Sequence, residues 1–159
     1  MIKAIFASDL AHGFGFEGGL PWPSIKEDFD HFKEATMGNY IVMGYNTYKT
    51  LPTLKGRVSV VMSRDDNIVL KHKGDLFVQK ALLLEESKWL STLADVSFIG
   101  GTSLLIPEHL EHCDEIYHTT VKGVYEADTY VPKETMAYLS TLNQEILLET
   151  EQCIIRKYT

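Results

Sequence analysis

Two stretches of this chain share a design that restricts its fold more than any other feature. Tyr40-Ile41-Val42-Met43 is an apolar run closed by Gly44 and followed by Tyr45-Asn46-Thr47. Asp95-Val96-Ser97-Phe98-Ile99 runs into Gly100-Gly101 and then Thr102-Ser103. Each reads as a strand, a glycine turn and a helix start with a hydroxyl in its first turn. Ile2 to Ala7 is a third apolar run, read as a strand buried in a sheet. A strand that passes through glycine into a helix leaves backbone N–H groups free to meet phosphate. A plain tight turn explains either stretch taken singly. Together they imply two anion sites, as a dinucleotide needs.

The rest of the chain extends this pattern. Residues 9 to 24 form a long loop rich in Gly and Pro, and a loop of that length in a compact domain points to function. A helix is expected from Ser24, as its N-cap, to Thr36. Tyr45 to Leu51 forms a short helix stopped before Pro52. Strands follow at Arg57 to Met62 and Leu76 to Val78, with a helix at Leu84 to Leu93. Ser103 to Leu110 is expected to be helical, with Pro107 limiting its regularity. Glu115 to Val121, Glu145 to Glu149 and Gln152 to Tyr158 close the chain as strands, the last two as a hairpin. The alternation predicts an α/β fold whose sheet is mainly parallel with an antiparallel C-terminal edge. At 159 residues, one domain spanning 1–159 is expected.

Charge and composition narrow the function classes. A net charge of −7 argues against nucleic-acid binding and against an anionic membrane surface. No apolar run approaches the roughly 20 residues of a membrane span. The opening Met1 to Asp9 lacks the apolar core of a signal peptide. Cys113 and Cys153 stand far apart with no CxxC pattern, which suggests free thiols in a reducing, cytoplasmic setting.

Within this frame one carboxylate stands out. Asp28 follows Leu20-Pro21-Trp22-Pro23 and opens a helix whose apolar residues are Ile25, Phe29 and Phe32. A carboxylate bordering aromatic groups loses hydration, so its pKa should rise and it can hold a proton near neutral pH. The plainer alternative is that Asp28 only opposes the positive end of the helix dipole. Gly13-Phe14-Gly15-Phe16-Glu17-Gly18 spells GxGxxG, but its strand ends near Ser8 and Leu20-Pro21-Trp22-Pro23 follows, so no helix opens there. A flexible glycine-rich flap fits better. Arg57 and Arg64 flank a strand and offer guanidinium forks for carboxylate or phosphate, although most arginines are ordinary surface residues. His109, His112 and Cys113 have a possible ligand spacing without a fourth ligand, and a solvated helix end is the better reading.

Taken in order, these residues resemble the dihydrofolate reductases. The likeness rests on the Ile2 to Ala7 strand, Gly-Leu-Pro-Trp with Asp28 and Phe32-Lys33, Met43-Gly44 with Thr47, Gly56-Arg57, Ser63-Arg64, Ile99-Gly100-Gly101 and Asp128-Thr129. It covers essentially the whole chain. The resemblance implies a three-layer, twisted, mostly parallel sheet of eight strands flanked by helices. It implies NADPH-dependent reduction of dihydrofolate to tetrahydrofolate, supporting one-carbon metabolism and thymidylate synthesis, by a monomer open to antifolate inhibitors.

The resemblance also assigns roles. Asp28 would bond the pterin ring, Trp22 would orient a water beside it, and Thr119 would share that network. Ile5, Phe32, Leu51, Leu54 and Ile99 would line the substrate pocket, and Arg57 would grip the glutamate α-carboxylate. Ala7 would meet the nicotinamide carboxamide, and Gly15 to Trp22, with Leu20, would form the flap over it. Gly44, Thr47, Ser63, Arg64, Gly100, Gly101, Thr102, Ser103 and Leu104 would hold the rest of NADPH, with a cis Gly100–Gly101 peptide. The chain departs from the pattern at Tyr45 and Asn46, where many members carry basic residues, at Leu105, where a tyrosine is common, and at the bulky Phe6 and Phe14. Two other functions compete: reduction of another pterin or a pyrimidine, which would leave Arg57 without a partner, and a non-catalytic role, which the set of Asp28, Trp22, Phe32 and Arg57 argues against.

Overall fold

The computed structural model describes residues 1–159. In chain order the elements are β1 (Ile2–Asp9), β2 (Gly13–Gly15), α1 (Lys26–Thr36), β3 (Tyr40–Gly44), α2 (Tyr45–Thr50), β4 (Val58–Ser63) and β5 (Leu76–Gln79). After a short turn of 3-10 helix come α3 (Leu83–Leu90), β6 (Val96–Gly100), α4 (Pro107–Leu110), β7 (Glu115–Val121), β8 (Thr129–Tyr130), α5 (Lys133–Leu139), β9 (Gln144–Glu149) and β10 (Cys153–Tyr158).

Eight strands form one sheet in the order β5-β4-β3-β6-β1-β7-β10-β9. β1 runs parallel to β6 and β7, and β3 parallel to β6 and β4. β10 is antiparallel to both β7 and β9, which gives the expected antiparallel edge. The continuous apolar runs sit where they were expected: β1 and β6 are interior strands, and every residue of β6 is buried. β9 lies at the edge, and all six of its residues are exposed.

The two-residue period of a strand sorts neighbours onto opposite faces. Ile5 packs with Ile41, Met43, Val61 and Ile99 on one face, joined by Phe32, Leu51 and Leu54. Phe6 belongs to the larger core on the other face with Val42, Phe98, Leu104, Leu105 and Ile116. Because most strands run parallel, the ends of β3, β4 and β6 (Gly44, Ser63 and Gly100) lie along one edge of the sheet, where ligands of α/β folds bind. The Gly100–Gly101 peptide is cis, and Gly100 has φ +137°, open only to glycine without strain.

Several sequence expectations change. Ser24 does not cap the first helix. Ile25 is its N-cap, with no side-chain cap bond, and Ile25 is held in place by burial beside Trp22. Phe29 is 62% exposed and does not join Ile25 and Phe32 in the interior. The Ser103 to Leu110 helix shrinks to Pro107–Leu110, with Pro at its start and Ile106 extended at φ −114°, ψ 155°. Proline suits the first position of a helix and excludes its predecessor from it, so the helix begins there instead of passing through. Residues 9 to 24 are not all loop, since β2 pairs with β8 in a small second sheet.

Candidate functional site

The elements along that sheet edge enclose a cleft of about 1240 Å³. One end is walled by Ile5 and Ala7 of β1, Asp28, Phe32 and Lys33 of α1, and Leu51, Leu54, Arg57 and Ile99. The other is walled by Gly44, Tyr45, Asn46 and Thr47, by Ser63, Arg64 and Lys80, and by Gly101, Thr102 and Ser103. Phe14 to Phe16 and Gly18 to Leu20 stand over the middle, and Trp22 closes the flap's far end.

Asp28 sits in the first turn of α1, a favourable place for an acidic group near the positive end of the helix. Its Oδ1 accepts a hydrogen bond of 2.6 Å from Thr119 Oγ1. The sheet register explains why these two meet. Thr119 on β7 lies directly opposite Ala7 on β1, so both side chains point to the face that α1 covers. Burial raises the pKa of Asp28 above the usual carboxylate value, while the Thr119 bond and the nearby His31 pull it partly back. The loss of hydration wins, as the aromatic surroundings of Asp28 in the sequence predict. His31, one turn along, is itself pushed down by burial, and its ring packs 5.4 Å from that of Tyr117. Trp22 is 5% exposed and meets Tyr125 edge-on with centroids 6.4 Å apart.

Arg57 precedes β4 and reaches back under α1. Its Nε donates to the Lys55 carbonyl at 3.1 Å, and its Nη1 to Thr36 Oγ1 at 3.2 Å. Thr36 is fully buried and donates its own hydroxyl to the Phe32 carbonyl at 2.7 Å. No protein carboxylate pairs with Arg57, so its remaining donors face the cleft. Burial lowers its pKa without removing its charge at any ordinary pH.

At the opposite end β3 and β6 converge. A Cβ on Gly44 would lie 3.8 Å from the Gly101 amide nitrogen, and one on Gly101 would lie 3.4 Å from Thr47 Oγ1. The second glycine pair of the sequence is therefore a close approach of two strand ends, with Thr47 between them. Arg64 and Lys80 extend this wall as cations without an ion-pair partner, a donor set suited to phosphate.

The structure thus brings eighteen of the sequence-assigned residues to one cleft, and three stand apart from its wall. Thr119 lies behind the wall, hydrogen-bonded to Asp28. Gly100 lies beneath Phe14, whose ring would be 3.0 Å from a Cβ placed there. Leu104 is fully buried in the core, and its side chain is not part of the cleft wall. Leu105 is buried with it, and Phe6 and Phe14 reach the cleft. Sequence reasoning gave Phe29 and Lys33 no role in the site and offered Lys80, with Lys71, only as an alternative to Arg64 for the 2′-phosphate. Lys80 sits just past the end of β5, the position in the fold that flagged Ser63 and Arg64. The His109, His112, Cys113 run is not arranged as a metal site: the buried His109 ring bonds the Leu104 carbonyl at 2.7 Å, and no cluster of three or more ligating side chains occurs. No helix is long and apolar enough to cross a membrane.

Comparison with known proteins agrees with this geometry. The sequence profile of the dihydrofolate reductase family matches residues 1–154. Dihydrofolate reductase type A10 of Escherichia coli is 37% identical over 142 residues, covering 85% of this chain and 74% of that protein. Dihydrofolate reductase type 8 of Escherichia coli is 33% identical over 134 residues, covering 82% of this chain and 79% of that protein. A solved dihydrofolate reductase from Enterococcus faecalis, complexed with NADP(H) and RAB-propyl, superposes with a TM-score of 0.78 at 24% identity, over 99% of this chain and 95% of that one. The match along nearly the whole length, together with the acid, the arginine and the paired strand ends in one cleft, means that this chain belongs to the dihydrofolate reductase family.

Proposed function

We propose that this protein reduces 7,8-dihydrofolate to 5,6,7,8-tetrahydrofolate with NADPH as the reductant. The observation that carries the reading is Asp28, the one carboxylate on the inner wall of the substrate end, held by Thr119 with its pKa raised by burial. NADPH, when bound, supplies the hydride. The cleft fits such a cofactor: Gly44 and Gly101 leave a backbone cradle beside Thr47 that a Cβ would fill, and Arg64 and Lys80 stand beyond it for the 2′-phosphate.

The chain's own residues orient the substrate and manage a proton. Asp28 accepts hydrogen bonds from the pterin ring and, with its pKa raised by burial, assists protonation of the ring nitrogen. Thr119 fixes the Asp28 carboxyl group, and Trp22 orients a water beside it. Ile5 and Ile99 present backbone to the pterin, Phe32 packs on its rings, and Leu51 and Leu54 flank the aminobenzoyl group. Arg57, braced by Thr36 and Lys55, binds the glutamate α-carboxylate through a charge-assisted pair. Ala7 meets the nicotinamide carboxamide. Ser63, Thr102 and Ser103 supply hydrogen bonds to the nucleotide, and the flap with Gly15 and Leu20 excludes water from the reacting rings. The enzyme acts as a cytoplasmic monomer built from one domain, residues 1–159.

Oxidation of NADPH that requires dihydrofolate tests the reading, with NADH and pterins lacking the glutamate tail run in parallel. Turnover that prefers the tailed substrate and NADPH supports it. Oxidation independent of dihydrofolate, or none in properly folded protein, would reject it.

A further inference from the structure

The cleft wall from Leu51 to Leu54 belongs to no strand or helix. From Pro52 to Lys55 no backbone group pairs with another backbone group. Leu51 and Leu54 rest, partly buried, against the cluster of Ile5, Met43 and Ile99. Apolar contact has no preferred direction, so it gives the wall a floor without fixing its place on that floor.

What fixes it comes from a segment outside the cleft. Ile68 and Leu70 root this segment in the same cluster. Lys71 follows, and its Nζ donates to three carbonyls: Tyr48 at 2.6 Å, Leu51 at 2.9 Å and Lys49 at 3.2 Å. They lie at the C-terminal end of α2, where a helix leaves its last carbonyls unpaired and favours a cation. The Lys71 N–H donates to Tyr48 Oη, and that hydroxyl donates to Asp75 Oδ2. His72 Nε2 lies 2.6 Å from Thr53 Oγ1. No bond between two backbone groups joins 68–75 to 45–55, so these side chains carry every hydrogen bond of the joint. Lys71 and His72 meet Leu51, Leu54 and Arg57 around a small cavity of about 30 Å³ directly behind the wall. Neither residue lines the cleft itself.

We propose that Lys71 is a positioning residue for the substrate: with His72 it holds the Leu51 to Leu54 wall in place, so that a segment outside the cleft sets how firmly the aminobenzoyl group is gripped. The substrate in question is the dihydrofolate of the preceding reading, on which this proposal rests.

The test compares wild type with Lys71→Met, Lys71→Arg and His72→Ala. Methionine keeps an unbranched stem and removes every donor, whereas arginine keeps both charge and donors. Steady-state constants are measured for dihydrofolate, for a dihydropterin without the aminobenzoylglutamate, and for NADPH and NADH. Lys71→Met should raise KM for dihydrofolate about three- to tenfold, the scale of a cation at a helix C-terminus, with kcat within about twofold. The constants for the short pterin and for both cofactors should move less than about twofold. Lys71→Arg should recover most of the loss, and His72→Ala should raise the same KM about threefold, as one neutral hydrogen bond would. Backbone NMR order parameters at Thr53, Leu54 and Lys55 should fall in Lys71→Met and stay unchanged at core residues such as Val60 and Val96.

An unchanged KM for dihydrofolate would overturn the proposal, as would an equal rise for the short pterin or no recovery with arginine. A loss confined to NADPH over NADH would make Lys71 a phosphate ligand and overturn it too. If Lys71→Met did not fold, His72→Ala would carry the comparison. If wild type turned over no dihydrofolate, the proposed function would fall, and the order parameters would decide the anchor by themselves, unchanged values at 53–55 overturning it.

Discussion

Arg57 and Thr36 show how the proposed substrate contact is built from below. The guanidinium needs a carboxylate partner, and the protein supplies none, but it does supply a brace. Thr36 Oγ1 donates to the Phe32 carbonyl and accepts from Arg57, which leaves the outer edge of the fork to the cleft. Arg57→Ala should raise KM for dihydrofolate about ten- to a hundredfold, the range of a charge-assisted pair, and leave a tail-less pterin nearly unaffected. Thr36→Val should do the same in miniature, about three- to tenfold, and Thr36→Ser should restore most of it. Equal losses on both substrates, measured in steady-state assays, would make Arg57 structural. Arg64 makes a second such case. It stands at the end of β4 beside Lys80, while Tyr45 and Asn46 leave the neighbouring wall without charge. Arg64→Ala should narrow the preference for NADPH over NADH, chiefly by weakening NADPH. An unchanged ratio of the two kcat/KM values would move the 2′-phosphate to Lys80.

At the scale of elements, β7 carries two different chemistries on its two faces. Thr119 serves Asp28 on one side. His118 points to the other, where its Nε2 lies 2.7 Å from Ser8 Oγ and its ring packs 4.9 Å from Phe6. Burial, with Arg156 and His12 nearby, lowers the His118 pKa to about 3. The native state therefore keeps His118 neutral, while the unfolded chain protonates it below its ordinary value of 6.5. Stability should fall as pH drops from 6.5 towards 3, by up to about 1.4 kcal/mol per unit from this group. Ser8→Ala with His118→Leu should flatten that slope in urea unfolding at several pH values, and an unaltered slope would place the acid sensitivity elsewhere. The same strand shows what a sequence can and cannot disclose. Its β-branched run made the strand legible, yet nothing in the run tells which face each residue takes until the register against β1 is known. The long apolar strands and the glycine ends were legible because they repeat a local pattern. β8 and α5 were not, since two residues carry no period and α5 begins behind Pro132 with no side-chain cap. Ser24 misled for the opposite reason: it has the right chemistry for a cap, but the burial of Ile25 beside Trp22 and Val121 sets where the helix begins.

Across the whole molecule, one sheet edge gathers the function. Parallel pairing stacks the ends of β3, β4 and β6, α1 lays Asp28 over β1 and β7, and the flap spans the gap between them. The residues at strand ends and Asp28 in the first turn of α1 meet there because the topology places these features together, and the flap and the segment after α2 add the rest. Thr119, Gly100 and Leu104 stand off the cleft wall, Leu104 because it is buried in the core after the Gly101 turn. Asp28 is the group proposed to assist protonation of the substrate. Its raised pKa, the Thr119 bond and the absence of a second carboxylate on that inner wall lead to one outcome. The direct measurement is turnover of dihydrofolate with NADPH across a pH series for wild type and Asp28→Asn, with the fold of the variant confirmed. Wild-type turnover should decline as pH rises. Asp28→Asn should lose at least about a hundredfold in kcat at neutral pH, the scale of general acid catalysis, and recover towards acid pH as solvent protonates the substrate directly. Near-wild-type turnover of the variant at neutral pH, or a pH profile parallel to that of wild type, would contradict the account.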